Sequence, residues 1–253
     1  MDHSIGFSVS THTGSGPIRN SDSHLAMPVG DSRVLLLVAD GGLKNDAGQI
    51  ATSVTADVFE SGIRSDTFVN AADASEAKDA LETALQHAHA ELIHLATSCD
   101  QVGEICCMLS AALVSADRVD LIWVGDCRMY LYRDGVLHQL SEDQTLAWQL
   151  VKQGTLDVCR LEQHPGRHVP TQTIGMAPGD VSPQAGHASL ALAKGDVVVL
   201  CTNGLSDSVD EASIARLLRE SPDAGAATKA LVDAAVTAGA SDNVTVAIAH
   251  IPR

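Results

Sequence analysis

The sequence predicts an α+β fold in which a central antiparallel β-sandwich is flanked by helices on both sides, giving α-β-β-α layers. Apolar runs of strand length, rich in Val, Leu and Ile, are bounded by Asp-Gly, Gly-Asp or Asn-Gly pairs. Long strands follow one another around hairpin signals, which makes the pairing largely antiparallel. The helical stripes are too few to cover both faces of every strand. Two sheets must therefore cover each other and leave the helices outside.

Taken in order, the first strong strand covers 33–39 and ends at Asp40-Gly41. A helix fits 48–61, with Ile50, Val54 and Val58 on one side. A longer helix fits 75–96, where Leu81, Leu85, Ala88, Leu92 and Leu95 form one apolar stripe and Ser75 is placed to cap it. Strands then crowd together at 107–115, 119–124 and 128–132, and Asp134-Gly135 between alternating residues marks a hairpin. A helix near 145–154 leads into 155–186, an irregular, proline-bearing stretch that reads as a flap-like insertion. Strands at 196–201 and 244–249 bracket two helices, 211–220 and 224–238, split at Ser221-Pro222. With no linker, repeat or low-complexity segment, the expectation is a single domain over 1–253.

Composition narrows the function. The apolar fraction of 45% supplies a sizeable core, and with aromatics at 3% that core must be aliphatic. The formal charge of −16 repels nucleic acid and anionic lipid, keeps the chain soluble and draws divalent cations toward any carboxylate cluster. No apolar run approaches the roughly 20 residues of a membrane span, and the opening residues do not read as a signal peptide. Neither nucleic acid nor membrane is expected as a partner, and a cytoplasmic location is. The cysteines show no Cys-x-x-Cys spacing and read as buried free thiols of a reducing compartment. Cys127 reads as a small packed side chain. His87, His89 and His94 read as partly exposed polar positions on the long helix.

Three acids stand at the ends of apolar strands: Asp40 after VLLLVA, Asp126 after LIWVG, and Asp242 before NVTVAIAH. A fourth strand, VVVLCT, delivers Asn203. Antiparallel strands bring such ends to one rim, where clustered hard oxygens suit Mg²⁺ or Mn²⁺. Paired ions of that kind activate water for in-line attack on phosphorus. Asp and Asn beside Gly are also ordinary turn residues. At this point both readings stand.

Six blocks in order bear on the choice. TGSGPIRNSDS (13–23), VADGG (38–42) with DAGQIAT (46–52), VGDCRMYLYRDG (124–135), LSEDQTLAWQLVKQG (140–154), CTNGLSD (201–207) and ASDNVTV (240–246) resemble the motifs of the metal-dependent protein phosphatases. These are the PPM family, or type 2C serine/threonine phosphatases, and the likeness to bacterial single-domain members runs over nearly the whole chain. The resemblance implies the same β-sandwich fold and hydrolysis of phosphoserine or phosphothreonine esters at a centre of two Mn²⁺ or Mg²⁺ ions, with a weaker third. It implies that Asp40 bridges both ions, that the Gly41 carbonyl binds the second and that Asp242 and residue 203 bind the first. Asp126 would belong to the third site, and Asp22 would hold water at the centre. The implied partners are a phosphorylated protein and a cognate Ser/Thr kinase.

The departures from the family pattern fall in the chemistry. Asn203 replaces an expected aspartate, Pro17 an arginine that grips phosphate, and Ser21 a glutamate; Gly42-Leu43-Lys44 replaces Met-Gly-Gly. Arg19 and Lys44 are the candidate replacements for the phosphate grip. Two outcomes compete: a phosphatase with altered metal affinity, or a pseudophosphatase that binds phosphoproteins without turnover.

Overall fold

The computed structural model describes residues 4–16, 19–42, 46–71, 73–98, 105–175 and 182–252. In chain order the elements are β1 (Gly6–His12), β2 (Ser23–Val29), β3 (Arg33–Asp40), α1 (Asp46–Arg64), α2 (Ala74–Ser98), β4 (Cys106–Val114), β5 (Arg118–Val124), β6 (Arg128–Arg133) and β7 (Val136–Gln139). There follow α3 (Leu146–Lys152), two 3₁₀ turns (Val158–Gln163 and Pro165–His168), β8 (Ile174–Gly175), β9 (Gly186–Ala191) and β10 (Val197–Cys201). The chain ends with α4 (Asn203–Ser206), α5 (Glu211–Glu220), α6 (Ala224–Thr237) and β11 (Val244–His250). All the paired strands run antiparallel, in two sheets of order β1-β11-β10-β6-β7 and β2-β3-β4-β5-β9, with β8 joined to β4.

Alternation along each strand sorts side chains into three apolar layers. From β3, Leu35, Leu37 and Ala39 face α1 and α2, while Val34, Leu36 and Val38 enter the space between the sheets. From β10, Val198 and Leu200 enter that same space, while Val197, Val199 and Cys201 face α5 and α6. A strand buried on both faces has no polar side, which is why these runs read as unbroken apolar sequence. The α-β-β-α expectation holds.

Several details differ from the sequence reading. β1, β2 and β9 went unnoticed because each is a sheet edge, half open to solvent, and β2 carries Pro28, which an edge tolerates. α1 turns a face of small residues to the sheet, Ala47, Gly48, Ala51, Thr52 and Thr55, plus Phe59. Ile50 is left exposed, since small residues let the helix approach more closely than an aliphatic stripe would. The α2 cap is Asp73, whose carboxylate accepts from the Glu76 N–H at 2.9 Å, so Ser75 lies inside the first turn. His89 is buried, and its Nδ1 accepts from the Gly175 N–H at 3.1 Å, anchoring β8 to α2; His87 and His94 are exposed. No helix among the described residues is long and apolar enough to cross a membrane.

The layer assignment makes a quantitative prediction. Leu36→Ala opens a cavity between the sheets and is expected to cost about 2–5 kcal/mol in urea unfolding. Val136→Ala, half exposed on the hairpin, is expected to cost about 0.5 kcal/mol or less. Equal losses would contradict the layering.

Candidate active site

Strand register gathers distant segments at one rim. In the first sheet Cys201 of β10 lies opposite both Arg128 of β6 and Val246 of β11. Just beyond that rung the three strands carry Asn203, Asp126 and Asp242. In the second sheet Asp40 closes β3 opposite Met108 of β4. Between the two rims opens a cleft of about 720 Å³, lined by Ser21, Asp40, Asn203 and Asp242 and by Arg167 and His168 from the second 3₁₀ turn.

Asn243 fixes the floor. Its Oδ1 accepts from the Ser21 N–H at 2.7 Å, and its Nδ2 donates to the carbonyls of Thr13 at 2.7 Å and Arg19 at 3.2 Å. One buried amide thereby holds the segment before β2 against the start of β11. At several points the backbones meet so closely that only glycine fits, Gly204 and Gly41 among them. A Cβ on Gly204 would lie 2.0 Å from the Asn243 carbonyl oxygen, and one on Gly41 would lie 2.8 Å from the Gly48 carbonyl carbon and 2.9 Å from Ser21 Cβ.

On this floor Asp22 accepts two hydroxyl hydrogen bonds at Oδ2, from Thr202 at 2.9 Å and Thr245 at 2.7 Å. Burial, followed by repulsion from Asp40, pushes its carboxyl well above the usual range despite those donors, and Asp242 adds a smaller push. Burial first, then Asp40 and Asp143, pushes Asp126 up to about 7. Asp40 is thus the charge that both its neighbours feel; its own Oδ1 accepts from the Gly42 N–H at 2.8 Å. The Cys127 thiol beneath them is fully buried and pushed up by burial and by the same acids, so it stays a neutral packed side chain.

Asp40, Asp242 and Asn203 line the cleft as the sequence anticipates, and Asp22 and Gly41 lie beside them. Asp126 lines a small adjoining hole whose other wall is Asn203. Arg19 is not among the residues that line the cleft; its exposed guanidinium pairs with Asp46 at the start of α1. Lys44 and Pro17 lie outside the described residues. Asp207, Arg167 and His168 were missed. Asp207 follows Asn203 by one helical turn, a spacing that offered a signal. Arg167 and His168 sit in an aperiodic stretch that offered none. His168 Nδ1 lies 3.5 Å from Asp207 Oδ2, and Arg167 donates to Glu162 at 2.8 Å.

The donor chemistry fits a hard divalent cation. The oxygens are carboxylate, amide and backbone carbonyl, burial and then the charge of Asp40 raise the proton affinity of Asp22 and Asp126, and Asn203 Oδ1 is buried with no protein partner. Among the described residues no three Asp, Glu, His or Cys side chains already form a cage, so neutral oxygens from Asn203 and Gly41 would have to complete one.

Comparison with known proteins agrees with this architecture. Residues 11–236 match the sequence profile of the family Protein phosphatase 2C. A putative protein phosphatase 2C-type of Streptococcus pyogenes is 29% identical over 217 residues, covering 85% of each chain. Serine/threonine protein phosphatase PstP of Mycobacterium tuberculosis is 29% identical over 86% of this chain, which spans only 40% of PstP. The S. agalactiae serine/threonine phosphatase superposes with a TM-score of 0.87 at 27% identity, covering 98% of this chain and 99% of that one. The PstP catalytic domain in complex with two manganese ions superposes at 0.80 with 24% identity over 98% and 99%, a likeness of fold. The chain belongs to the protein phosphatase 2C family.

Proposed function

We propose that the chain hydrolyses phosphoserine and phosphothreonine esters of a phosphorylated protein at a centre of two Mn²⁺ or Mg²⁺ ions. The observation that carries this reading is the convergence on Asp40: Asp22 and Asp126 have their proton affinity raised first by burial and then by its charge, beside a cleft lined by Asp40, Asp242 and Asn203. Buried like charges need a cation or a proton to remain together. Asp40, the Gly41 carbonyl, Asp242 and Asn203 Oδ1 would hold the ions. Such ions, when bound, acidify water and neutralise charge on a phosphoryl group.

The chain's own groups supply the rest. Asp22, pinned at Oδ2 by two hydroxyls and holding a proton more tightly than an ordinary carboxylate, is suited to take the proton of the attacking water. Arg167 brings a guanidinium to a cleft that also holds Asp40, Asp207 and Asp242, and its partner Glu162 is largely exposed, so the pair is cheap to open onto a phosphate. Arg167 is a further candidate for the phosphate grip beside Arg19 and Lys44.

Three outcomes test this. Phosphopeptide hydrolysis should require Mn²⁺ or Mg²⁺, stop in EDTA, and fall by at least about 100-fold in Asp40→Asn; unchanged turnover in that variant would sink the two-ion reading, and silence under all metals would favour binding without turnover. Arg167→Ala should raise KM about tenfold with a smaller change in kcat, as loss of a charged hydrogen bond to bound phosphate predicts. The third outcome is stability in EDTA. Asp126 moves from an ordinary value of 3.8 to about 7 on folding, so the folded state binds the extra proton and stability declines as pH rises through that window. The melting midpoint should therefore fall between pH 5 and pH 8, and Mn²⁺ should raise it most at the alkaline end. A midpoint that climbed with pH in EDTA would contradict the burial of these acids.

A further inference from the structure

Asn203 is a shared wall. On one side lies the main cleft; on the other lies a hole of about 20 Å³ bounded by Asp126, Arg128, Asp143 and Asp207. We propose that the Asn203 amide closes the Asp126 side with its N–H, so that this chain's centre takes two divalent ions and has no further ion at Asp126. The inference rests on the two-ion reading above.

The argument starts from the two unlike ends of an amide. One donates and the other accepts. Facing a carboxylate, only the donor end is attractive, and Asn203 Nδ2 approaches Asp126 Oδ2 at 3.5 Å. The same orientation leaves Oδ1, buried and bonded by no protein group, as the end free to serve as a neutral donor to the ions. One side chain therefore does two things: its nitrogen stands in for a cation on the Asp126 side, and its oxygen serves the ions on the other.

Arg128 and Asp143, which both line the hole, are already matched to each other. Arg128 Nη2 pairs with Asp143 Oδ2 at 2.7 Å, and its Nε bonds both oxygens of that carboxylate, at 3.0 and 3.1 Å. Burial pushes the Asp207 carboxyl up, and His168, 3.5 Å away, together with Arg167 and Arg128, offsets only part of that push. A volume of about 20 Å³ admits one water, a suitable partner for Asp126 Oδ1, but not a hydrated divalent ion, which keeps several waters. An aspartate at 203 would reverse this: two carboxylates would face each other and call for a cation between them.

The test is the number of ions bound, not turnover. Equilibrium dialysis of the full chain against saturating Mn²⁺, with bound metal counted by elemental analysis, should give two ions in the wild type and still two in Asp126→Asn. Asn203→Asp should bind a third, and the double variant Asn203→Asp/Asp126→Asn should lose it again. Circular dichroism on each variant confirms that a lost ion is not a lost fold. Three ions in the wild type would overturn the inference while leaving the two-ion centre intact; one ion fewer in folded Asp126→Asn than in a two-ion wild type would overturn the inference and the two-ion centre together. One ion or none in the wild type would overturn the centre itself, and the inference with it.

Discussion

Everything at the rim depends on holding like charges together out of water. Asp22 and Asp126 are buried within reach of the charge on Asp40, and left to themselves they would separate or take up protons. What prevents separation is remote from the charges. Six of the central side chains, Leu36, Val38, Met129, Val198, Leu200 and Ala247, are sealed between two sheets, and the strands that carry them cannot slip without turning apolar faces to solvent. The repulsion is thus opposed by the aliphatic core through the strand register.

That division of labour explains what the sequence made legible. Strands buried on both faces read clearly because their composition has no polar alternation to confuse, and their ends located Asp40, Asn203 and Asp242 at the cleft. Edge strands read poorly because β1, β2 and β9 carry mixed side chains on half-solvated surfaces. The face of α1 was misjudged because Ala, Gly and Thr pack closely without advertising themselves as apolar. At the site, Arg19 was the nearest cation in sequence to the missing phosphate arginine, yet its neighbour in space is Asp46. Arg167 is more than a hundred residues away along the chain and reaches the cleft through the 3₁₀ turn that follows Pro165. Proximity in sequence is a poor guide wherever a loop returns to a sheet end.

The departures in the motifs acquire a spatial logic. Ser21 is buried against Gly41, its N–H given to Asn243 and its carbonyl accepting from Thr52 at 2.8 Å. Its backbone is part of the floor whatever its side chain. Asn203 likewise keeps its place at the end of β10, opening the α4 turn in which the Asp207 N–H donates to its carbonyl at 2.9 Å. Both substitutions change which atoms face the cleft while leaving the path of the chain untouched.

Gly41 and Gly204 behave in the opposite way, and this bears on how such a site can drift over generations. A side chain that points into the cleft can be exchanged one mutation at a time, altering ion number or phosphate grip while the protein still folds. A glycine whose backbone lies against another backbone has no such freedom, because any replacement must first push two strands or a strand and a helix apart. The rim is therefore tolerant where side chains point into the cleft and rigid where backbones meet. A lineage can retune, dim or repurpose the centre by accessible single steps without losing the frame that would let later steps restore it.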